Sequence, residues 1–110
     1  MRDAERSLLK EGERLDELQR KGRRIIQHPG RFCFGMDAVL LSAFARAYPG
    51  EQVLDLCSGT GVIPILMESR FPDACYTGVE LQEESADMAK RSVLVNGRGE
   101  RIRILQGDLR

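Results

Sequence analysis

The chain has 110 residues and a mass of 12.4 kDa, which is enough for one domain and too little for two. Its hydrophobic fraction of 42% and charged fraction of 31% are ordinary for globular proteins and exclude a wholly disordered or fibrous chain. Seventeen basic residues balance seventeen acidic ones, so the net charge does not point to a polyanionic or membrane partner.

The sequence lacks a membrane or secretion signal, and it lacks a cysteine pattern typical of disulfides or metal sites. No apolar run approaches the ~18–20 residues that cross a bilayer, and the N-terminus lacks an apolar signal-peptide core, which predicts a cytoplasmic protein with no membrane partner. Cys33, Cys57 and Cys75 show no Cys-x-x-Cys spacing, and the sequence has a single histidine. This pattern argues against a disulfide framework or a metal site, and we expect reduced, mostly buried thiols.

The first half of the chain is charged and largely helical in pattern. Residues 2–21 place four leucines at helical spacing, which predicts a surface helix or a frayed arm, and Arg24–Gln27 predicts a short strand. Five positive charges lie within residues 20–31, and they either contact RNA phosphates or form a solvated face. Residues 37–47 again show helical spacing, and Asp37 is placed to cap that helix.

Short apolar runs alternate with helical patterns in the second half, which is typical of βαβ units and a parallel sheet. The predicted strands are Val53–Leu56, which we expect to be buried, Tyr76–Val79 and Ile102–Leu105, and the predicted helices are Val62–Phe71 and Leu81–Asn96. Asn96-Gly97 supplies a left-handed stop for the last helix. The expected fold class is therefore α/β.

Residues that suit a nucleoside ligand stand at the carboxyl ends of the three predicted strands. They are Asp55 near the end of the first strand with Gly59 and Gly61 after it, Glu80 after the second strand and Asp108 after the third. In a parallel sheet these ends share one edge, where such sheets bind ligands. Glycines permit close backbone approach and a carboxylate can accept both ribose hydroxyls, which implies an adenosine. Taken singly, the glycines could form a simple turn, Glu80 could begin a helix and Asp108 could belong to a turn.

Two other nucleotide-binding patterns match less well. The nicotinamide dinucleotide fingerprint Gly-x-Gly-x-x-Gly requires a third glycine where this chain has Pro64, which disfavours an NAD-dependent oxidoreductase. No segment matches the P-loop pattern of nucleoside triphosphate-binding proteins.

The ordered motifs resemble those of class I S-adenosylmethionine-dependent methyltransferases. The matching residues are Asp55, Cys57, Gly59, Gly61, Glu80, Gly107 and Asp108. Residues 12–18, 25–27 and 32–41 are similar to the leader of bacterial enzymes that methylate adenine N6 in valine tRNA. The resemblance covers roughly residues 12–110 and implies a partial Rossmann-like fold, in which a helical N-terminal segment precedes the first three parallel strands.

The resemblance also implies S-adenosylmethionine as cofactor and a role for each matching residue. The loop from Asp55 to Gly61, including Cys57 and Ser58, would hold the methionine end of the cofactor. Glu80 would bind the ribose hydroxyls and Asp108 would accept from the adenine amino group. The stretch from Phe34 to Asp37 would close over the methionine end, although capping alone also explains Asp37. Cys57 replaces a glycine of the broad superfamily and suggests a variant turn.

The motif that performs the chemistry in the similar family is missing. Those enzymes use Asn-Pro-Pro-Tyr after a fourth strand, whereas this chain has a single asparagine, Asn96, and no adjacent prolines. We therefore expect residues 1–35 to form a charged N-terminal helix and basic leader, and residues 36–110 the cofactor-binding half of a domain truncated at its C-terminus. We assign no catalytic residue to the chain.

Three functions remain open at this point. The first is part of a tRNA adenine-N6 methyltransferase, whose full form would bind tRNA or another RNA. The second is part of a protein-glutamine or ribosomal RNA methyltransferase, and the third is a non-catalytic cofactor-binding or interaction module. We expect the isolated chain to be inactive and to self-associate through an open sheet edge.

Overall fold

A computed structural model describes residues 3–18, 21–30, 35–56 and 58–108 and forms three layers. The elements in chain order are α1 (Asp3–Arg6), β1 (Arg14–Glu17), β2 (Arg24–Gln27), α2 (Met36–Phe44), β3 (Gln52–Leu56), α3 (Val62–Arg70), β4 (Cys75–Glu80), α4 (Glu83–Asn96) and β5 (Ile102–Gln106). The hairpin β1–β2 packs on the helices, and α3 and α4 pack on the sheet β3–β4–β5. No helix in the described ranges is long and apolar enough to cross a membrane.

The three-stranded sheet is parallel and has the order β3–β4–β5, which confirms the predicted α/β fold with Rossmann-like strands. The strand and helix predictions of the second half agree with the structure within one or two residues at each end. Gly97 ends α4 in the left-handed conformation, with φ of 66°, as the Asn-Gly pair predicted.

The main core lies on one face of this sheet. Tyr76 from β4 and Ile104 from β5 are buried against Ile65 of α3 and Ala89 of α4. Both crossover helices therefore cover the same face, and the strand carboxyl ends remain at one accessible edge.

The opposite face of the sheet is bare within the described part of the chain. Side chains alternate along strands, so Leu54 and Leu56 point away from the core, as Leu105 does on β5. Their side chains are 61%, 53% and 43% exposed. The prediction of a buried first strand is thus only half right: β3 has a neighbour on one edge and helices on one face.

The predicted helix over residues 2–21 is wrong. Among the described residues of this range the only helical part is α1, and Arg14–Glu17 forms β1, which pairs antiparallel with β2 in the register Leu15 opposite Ile26. Helix propensity is a weak preference, and here the pairing of β1 with β2, in which Ile25, Ile26 and Gln27 are buried, overrides it. The predicted strand Arg24–Gln27 is confirmed with the same bounds.

Polar side chains of α4 fasten the hairpin to the rest of the molecule. The Ile26 N–H donates to Ser92 Oγ at 2.8 Å. The Asn96 side-chain amide accepts from the Arg24 N–H at 2.8 Å and donates to the Arg24 carbonyl oxygen at 2.6 Å, as a neighbouring strand would.

The division of the chain into an N-terminal segment, residues 1–35, and a cofactor-binding part, residues 36–110, stays a prediction.

The helix α2 ends earlier than predicted and is not capped by Asp37. It spans Met36–Phe44, with Gly35 at the N-cap position and no side-chain capping hydrogen bond. Asp37 instead lies exposed in the first turn, where a negative charge complements the helix dipole. Ala47 lies beyond the helix and is buried in the main core.

Candidate functional site

The loop that joins β3 to α3 is held by main-chain hydrogen bonds. The Ser58 N–H donates to the Val79 carbonyl oxygen at 2.9 Å, and the Gly61 N–H donates to the Ser58 carbonyl oxygen at 3.0 Å. Gly61 begins α3 with φ of 87°, and a Cβ at this position would lie 3.1 Å from the Ala89 Cβ. Only glycine both adopts this positive φ easily and has no Cβ to contact Ala89, which explains its place in the motif.

The Glu80 carboxylate connects two of the strand-end loops. It is 9% exposed, its Oε1 accepts from the Gly59 N–H at 2.8 Å, and its Oε2 accepts from the Gln82 N–H at 2.9 Å. These bonds join the loop after β3 to the start of α4. Each oxygen retains a lone pair, so the carboxylate can still accept hydroxyl donors from a ligand.

Asp55 and Ser58 each bring a buried, unsatisfied oxygen to this edge. Asp55 Oδ2 and Ser58 Oγ have no hydrogen-bond partner among the described residues. Burial and, as the smaller cause, the negative charge of Glu80 together raise the pKa of Asp55 from its ordinary value of 3.8 to about 6. A buried carboxylate without a donor suits a ligand that brings an N–H or ammonium group.

The end of β5 completes the edge. Glu80 is the register partner of Gln106, and the Gly107 N–H donates to the Glu80 carbonyl oxygen at 3.0 Å. Asp108 follows and is exposed. The residues that the structure brings to this edge are therefore Asp55, Ser58, Gly59, Gly61, Glu80 and Asp108.

Three predicted site residues remain, and two of them, Phe34 and Cys57, lie outside the described residues. Asp37 is exposed on α2, which packs on α3, and within the described ranges it makes no hydrogen bond with the loop or with Glu80. Cys75 is a free, partly buried thiol, and no group of three or more potential metal ligands occurs among the described residues.

Two residues of the edge escaped the sequence reasoning. Gly78 lies on β4 beneath the Ser58 side chain, and Gln82 supplies the second N–H bound by Glu80. A glycine inside a strand often marks a close backbone approach, so Gly78 offered a usable signal. Gln82 offered none, because its contribution is a main-chain N–H.

The basic residues of the 20–31 segment are partly used inside the protein. Arg23 is buried and donates to Glu68 at 2.8 Å, and Arg24 forms an ion pair with Glu5 at 2.6 Å. Arg20 and Arg31 lie outside the described residues. Arg23 and Arg24 therefore fit neither interpretation, since their guanidinium groups serve the fold rather than a phosphate or a solvated face.

A cavity of about 780 Å³ lies between residues 10–13 and α4 and meets the strand-end edge at Gln106. Its lining includes Glu13, Asp87, Arg91 and Gln106 but none of the predicted site residues. Because charges of both signs line it and pair with each other, it does not indicate a particular ligand. The strand-end edge therefore remains the better candidate site.

Sequence comparisons support this choice. A family profile described as "Methyltransferase small domain" matches residues 22–110. The chain is 36% identical over 76 residues to a ribosomal protein uL3 glutamine methyltransferase of Bradyrhizobium diazoefficiens, covering 69% of this chain and 24% of that protein. It is 34% identical over 79 residues to a tRNA1(Val) (adenine(37)-N6)-methyltransferase of Porphyromonas gingivalis, covering 68% and 31%. The chain thus spans less than a third of these relatives.

Solved structures show the same fold. An S-adenosylmethionine-dependent methyltransferase from Thiobacillus denitrificans, in complex with S-adenosyl-L-homocysteine, is 27% identical with a TM-score of 0.57, over 68% of this chain and 30% of that one. A corresponding complex from Geobacter sulfurreducens gives the same values. The resemblance inferred from the motifs is confirmed at the level of the family and the fold.

Proposed function

Because the chain belongs to the methyltransferase small domain family, we propose that it is the S-adenosylmethionine-binding part of a methyltransferase. The observation that carries the proposal is the position of Glu80 and Asp55 at the strand-end edge, where one carboxylate is fixed by two N–H donors and the other has a buried oxygen without a donor among the described residues. When bound, S-adenosylmethionine supplies a methyl group activated on a sulfonium centre.

The residues present fit this cofactor. The buried Asp55 Oδ2 suits the amino group of the methionine end. The lone pairs that remain on the Glu80 carboxylate suit the ribose hydroxyls, and Asp108, at the end of the neighbouring strand, suits an amino group on the adenine. Gly59 and Ser58 would bring main-chain groups close to the ligand between these carboxylates. We include Phe34, Asp37 and Cys57 among the residues that bind the methionine end only by resemblance.

For the acceptor we propose adenine N6 in a tRNA. The support is the relative from P. gingivalis and similarly named proteins, such as one from Pedobacter heparinus that is 36% identical over 73 residues. Glutamine in a ribosomal protein is the second candidate, favoured by the B. diazoefficiens relative. In both cases we propose a cytoplasmic substrate and further polypeptide to hold the acceptor, since the 110 residues contain no Asn-Pro-Pro-Tyr motif.

The cofactor is tested by calorimetric titration of the 110-residue chain with S-adenosyl-L-homocysteine and, separately, with NAD. We expect measurable binding of the first ligand and none of the second. Binding of NAD alone would contradict the proposal and favour an oxidoreductase.

The methyl acceptor is tested in source cells that carry a deletion of the gene encoding this chain. Mass spectrometry of tRNA nucleosides should show the loss of one N6-methyladenosine, whereas loss of methylglutamine from a ribosomal protein would favour the second candidate. If neither modification changes while the chain binds the cofactor, a non-catalytic module is the better description. The intact mass of the native gene product shows whether further polypeptide is attached.

A further inference from the structure

The last three residues of β4 support the β3–α3 loop in three different ways. The Val79 carbonyl oxygen accepts from the Ser58 N–H at 2.9 Å, and the Glu80 carboxylate accepts from the Gly59 N–H at 2.8 Å. Gly78, the third member, contributes empty space, because the Ser58 side chain lies directly over its Cα. The loop therefore rests on consecutive residues of one strand.

The space at Gly78 is too small for any side chain. A Cβ built there would lie 2.8 Å from Ser58 Oγ, 2.9 Å from Ser58 Cβ and 3.0 Å from Ile104 Cδ1. The Ile104 atom is the tip of a flexible side chain and can rotate away. The Ser58 Cβ cannot, because it is bonded directly to the main chain of the loop, and Ser58 is only 7% exposed.

We propose that Gly78 and Ser58 are a size-matched pair of positioning residues that sets the height of the loop above β4 and thereby the affinity for the cofactor. This inference rests on the proposed function. A Cβ at position 78 lifts Ser58, and lifting Ser58 moves the adjoining Gly59 N–H away from Glu80 Oε1. The Glu80 carboxylate then loses one of the two donors that orient it toward the ligand.

The test combines Gly78→Ala with two substitutions at Ser58. We expect Gly78→Ala to weaken S-adenosyl-L-homocysteine binding by about tenfold or more. Adding Ser58→Gly removes both clashing atoms, so the double variant should bind within about threefold of the Ser58→Gly single variant. Adding Ser58→Ala instead retains the Cβ and should give no recovery. Gly99→Ala is the matched control, since nothing lies within 4 Å of its added Cβ.

A second readout reports on the loop without ligand. Amide hydrogen exchange at Gly59 should be faster in Gly78→Ala than in the wild type, and unchanged in Gly99→Ala. If Gly78→Ala does not fold, recovery of folding in the Ser58→Gly/Gly78→Ala double variant supports the pair, and failure of that variant to fold overturns it.

The outcomes separate this inference from the function on which it rests. Unchanged affinity in Gly78→Ala, with the wild type binding S-adenosyl-L-homocysteine, overturns the inference and leaves the proposed function intact. Equal recovery by Ser58→Ala and Ser58→Gly also overturns it, because the clash would then not involve the Cβ. Absence of binding by the wild type itself overturns both.

Discussion

The Glu80 and Asp55 carboxylates lie at one edge of the sheet and have opposite hydrogen-bonding situations. Both Glu80 oxygens accept main-chain N–H groups, so this side chain forms part of the framework that shapes the edge. Asp55 leaves one buried oxygen without a partner in the described part of the chain. An unsatisfied buried oxygen lowers stability, and a donor on a ligand would remove that penalty.

Replacing Glu80 tests the framework role together with ligand binding. In Glu80→Gln an amide NH₂ replaces one of two acceptors, so either the Gly59 or the Gln82 N–H loses its partner. We expect a loss of about 1–3 kcal/mol in the free energy of unfolding and at least about tenfold weaker S-adenosyl-L-homocysteine binding, with Glu80→Ala weaker still. Urea unfolding and calorimetry measure the two effects. Glu100→Gln, at an exposed turn residue, is the control, and unchanged affinity in both Glu80 variants would remove Glu80 from the site.

Asp55 should make stability depend on pH. Its folded-state pKa of about 6 lies above the ordinary value of 3.8, so its stabilising contribution is complete below about pH 4 and is lost as the pH rises to 6. Asp55→Asn should therefore raise the free energy of unfolding at pH 7.5 by about 1 kcal/mol, a value discounted for partial solvent exposure, with little effect at pH 3.5. Urea midpoints at the two pH values measure this. A variant that is less stable than the wild type at pH 7.5 would contradict it.

The affinity for the cofactor should also depend on the ionisation of Asp55, but it should rise with pH where the stability falls. An ammonium group beside Asp55 favours the carboxylate, so binding releases a proton near pH 6 and affinity for S-adenosyl-L-homocysteine rises between pH 5 and 7. Calorimetry in buffers of different ionisation enthalpy detects the released proton. Asp55→Asn should remove both effects, and an identical pH profile in this variant would assign the titration to another group.

At the scale of elements, ion pairs as well as apolar packing attach the β1–β2 hairpin to the helices. Arg23 and Glu68 form a pair at 2.8 Å with side chains 10% and 1% exposed, and Arg98 lies 3.5 Å from the same carboxylate. Arg91 of α4 pairs with Glu13 just before β1. Breaking a buried pair leaves an uncompensated charge, so such pairs are costly to disrupt even where their net contribution is small.

Substitutions at Glu68 and Arg23 should separate the cost of disrupting this ion pair from its net contribution to stability. Glu68→Gln leaves Arg23 buried without its counter-ion and should lower the free energy of unfolding by about 3 kcal/mol. The double variant Arg23→Met/Glu68→Leu should recover most of that loss, because neither charge remains buried. Urea unfolding measures both, with Lys10→Gln as a control at an exposed pair expected to change stability by less than about 1 kcal/mol. A double variant as unstable as Glu68→Gln would show that shape, not charge, matters here.

At the scale of the whole molecule, the described residues cover the parallel sheet on one face only. Parallel sheets are ordinarily covered on both, yet here Leu54, Leu56 and Leu105 remain exposed on the second face. The strand β3 also has no neighbour on its outer edge within the described residues. Both features favour association of the isolated chain.

Self-association follows as a measurable expectation. The sedimentation coefficient of the 110-residue chain should rise with protein concentration, and Leu54→Lys/Leu56→Lys should reduce that rise because charges on the bare face oppose contact. Leu94→Lys is the control, since Leu94 is equally exposed, at 62%, but lies on α4. A monomer at all concentrations would contradict the expectation.

Local signals in the sequence were sufficient for the βαβαβ part of the molecule. Apolar runs, helical periodicity and turn residues predicted β3, α3, β4, α4 and β5, because each of these signals acts between residues close in the chain. The glycine turn, Glu80 and Asp108 could then be assigned to one edge, since parallel strands place their carboxyl ends together. The cofactor class came from the resemblance of these same motifs to those of a known family.

The tertiary structure alone decided the rest. Residues 14–17 became a strand because β2, which packs on the distant helix α4, offers them backbone partners, and helix propensity is too weak to compete. The closeness of Gly78 to Ser58 and the absent donor at Asp55 likewise depend on where separate elements meet. The sequence by itself determined the order of the elements and the chemical groups at their ends. Which groups became buried, paired or left without a partner was decided by packing, because those properties belong to contacts between distant parts of the chain.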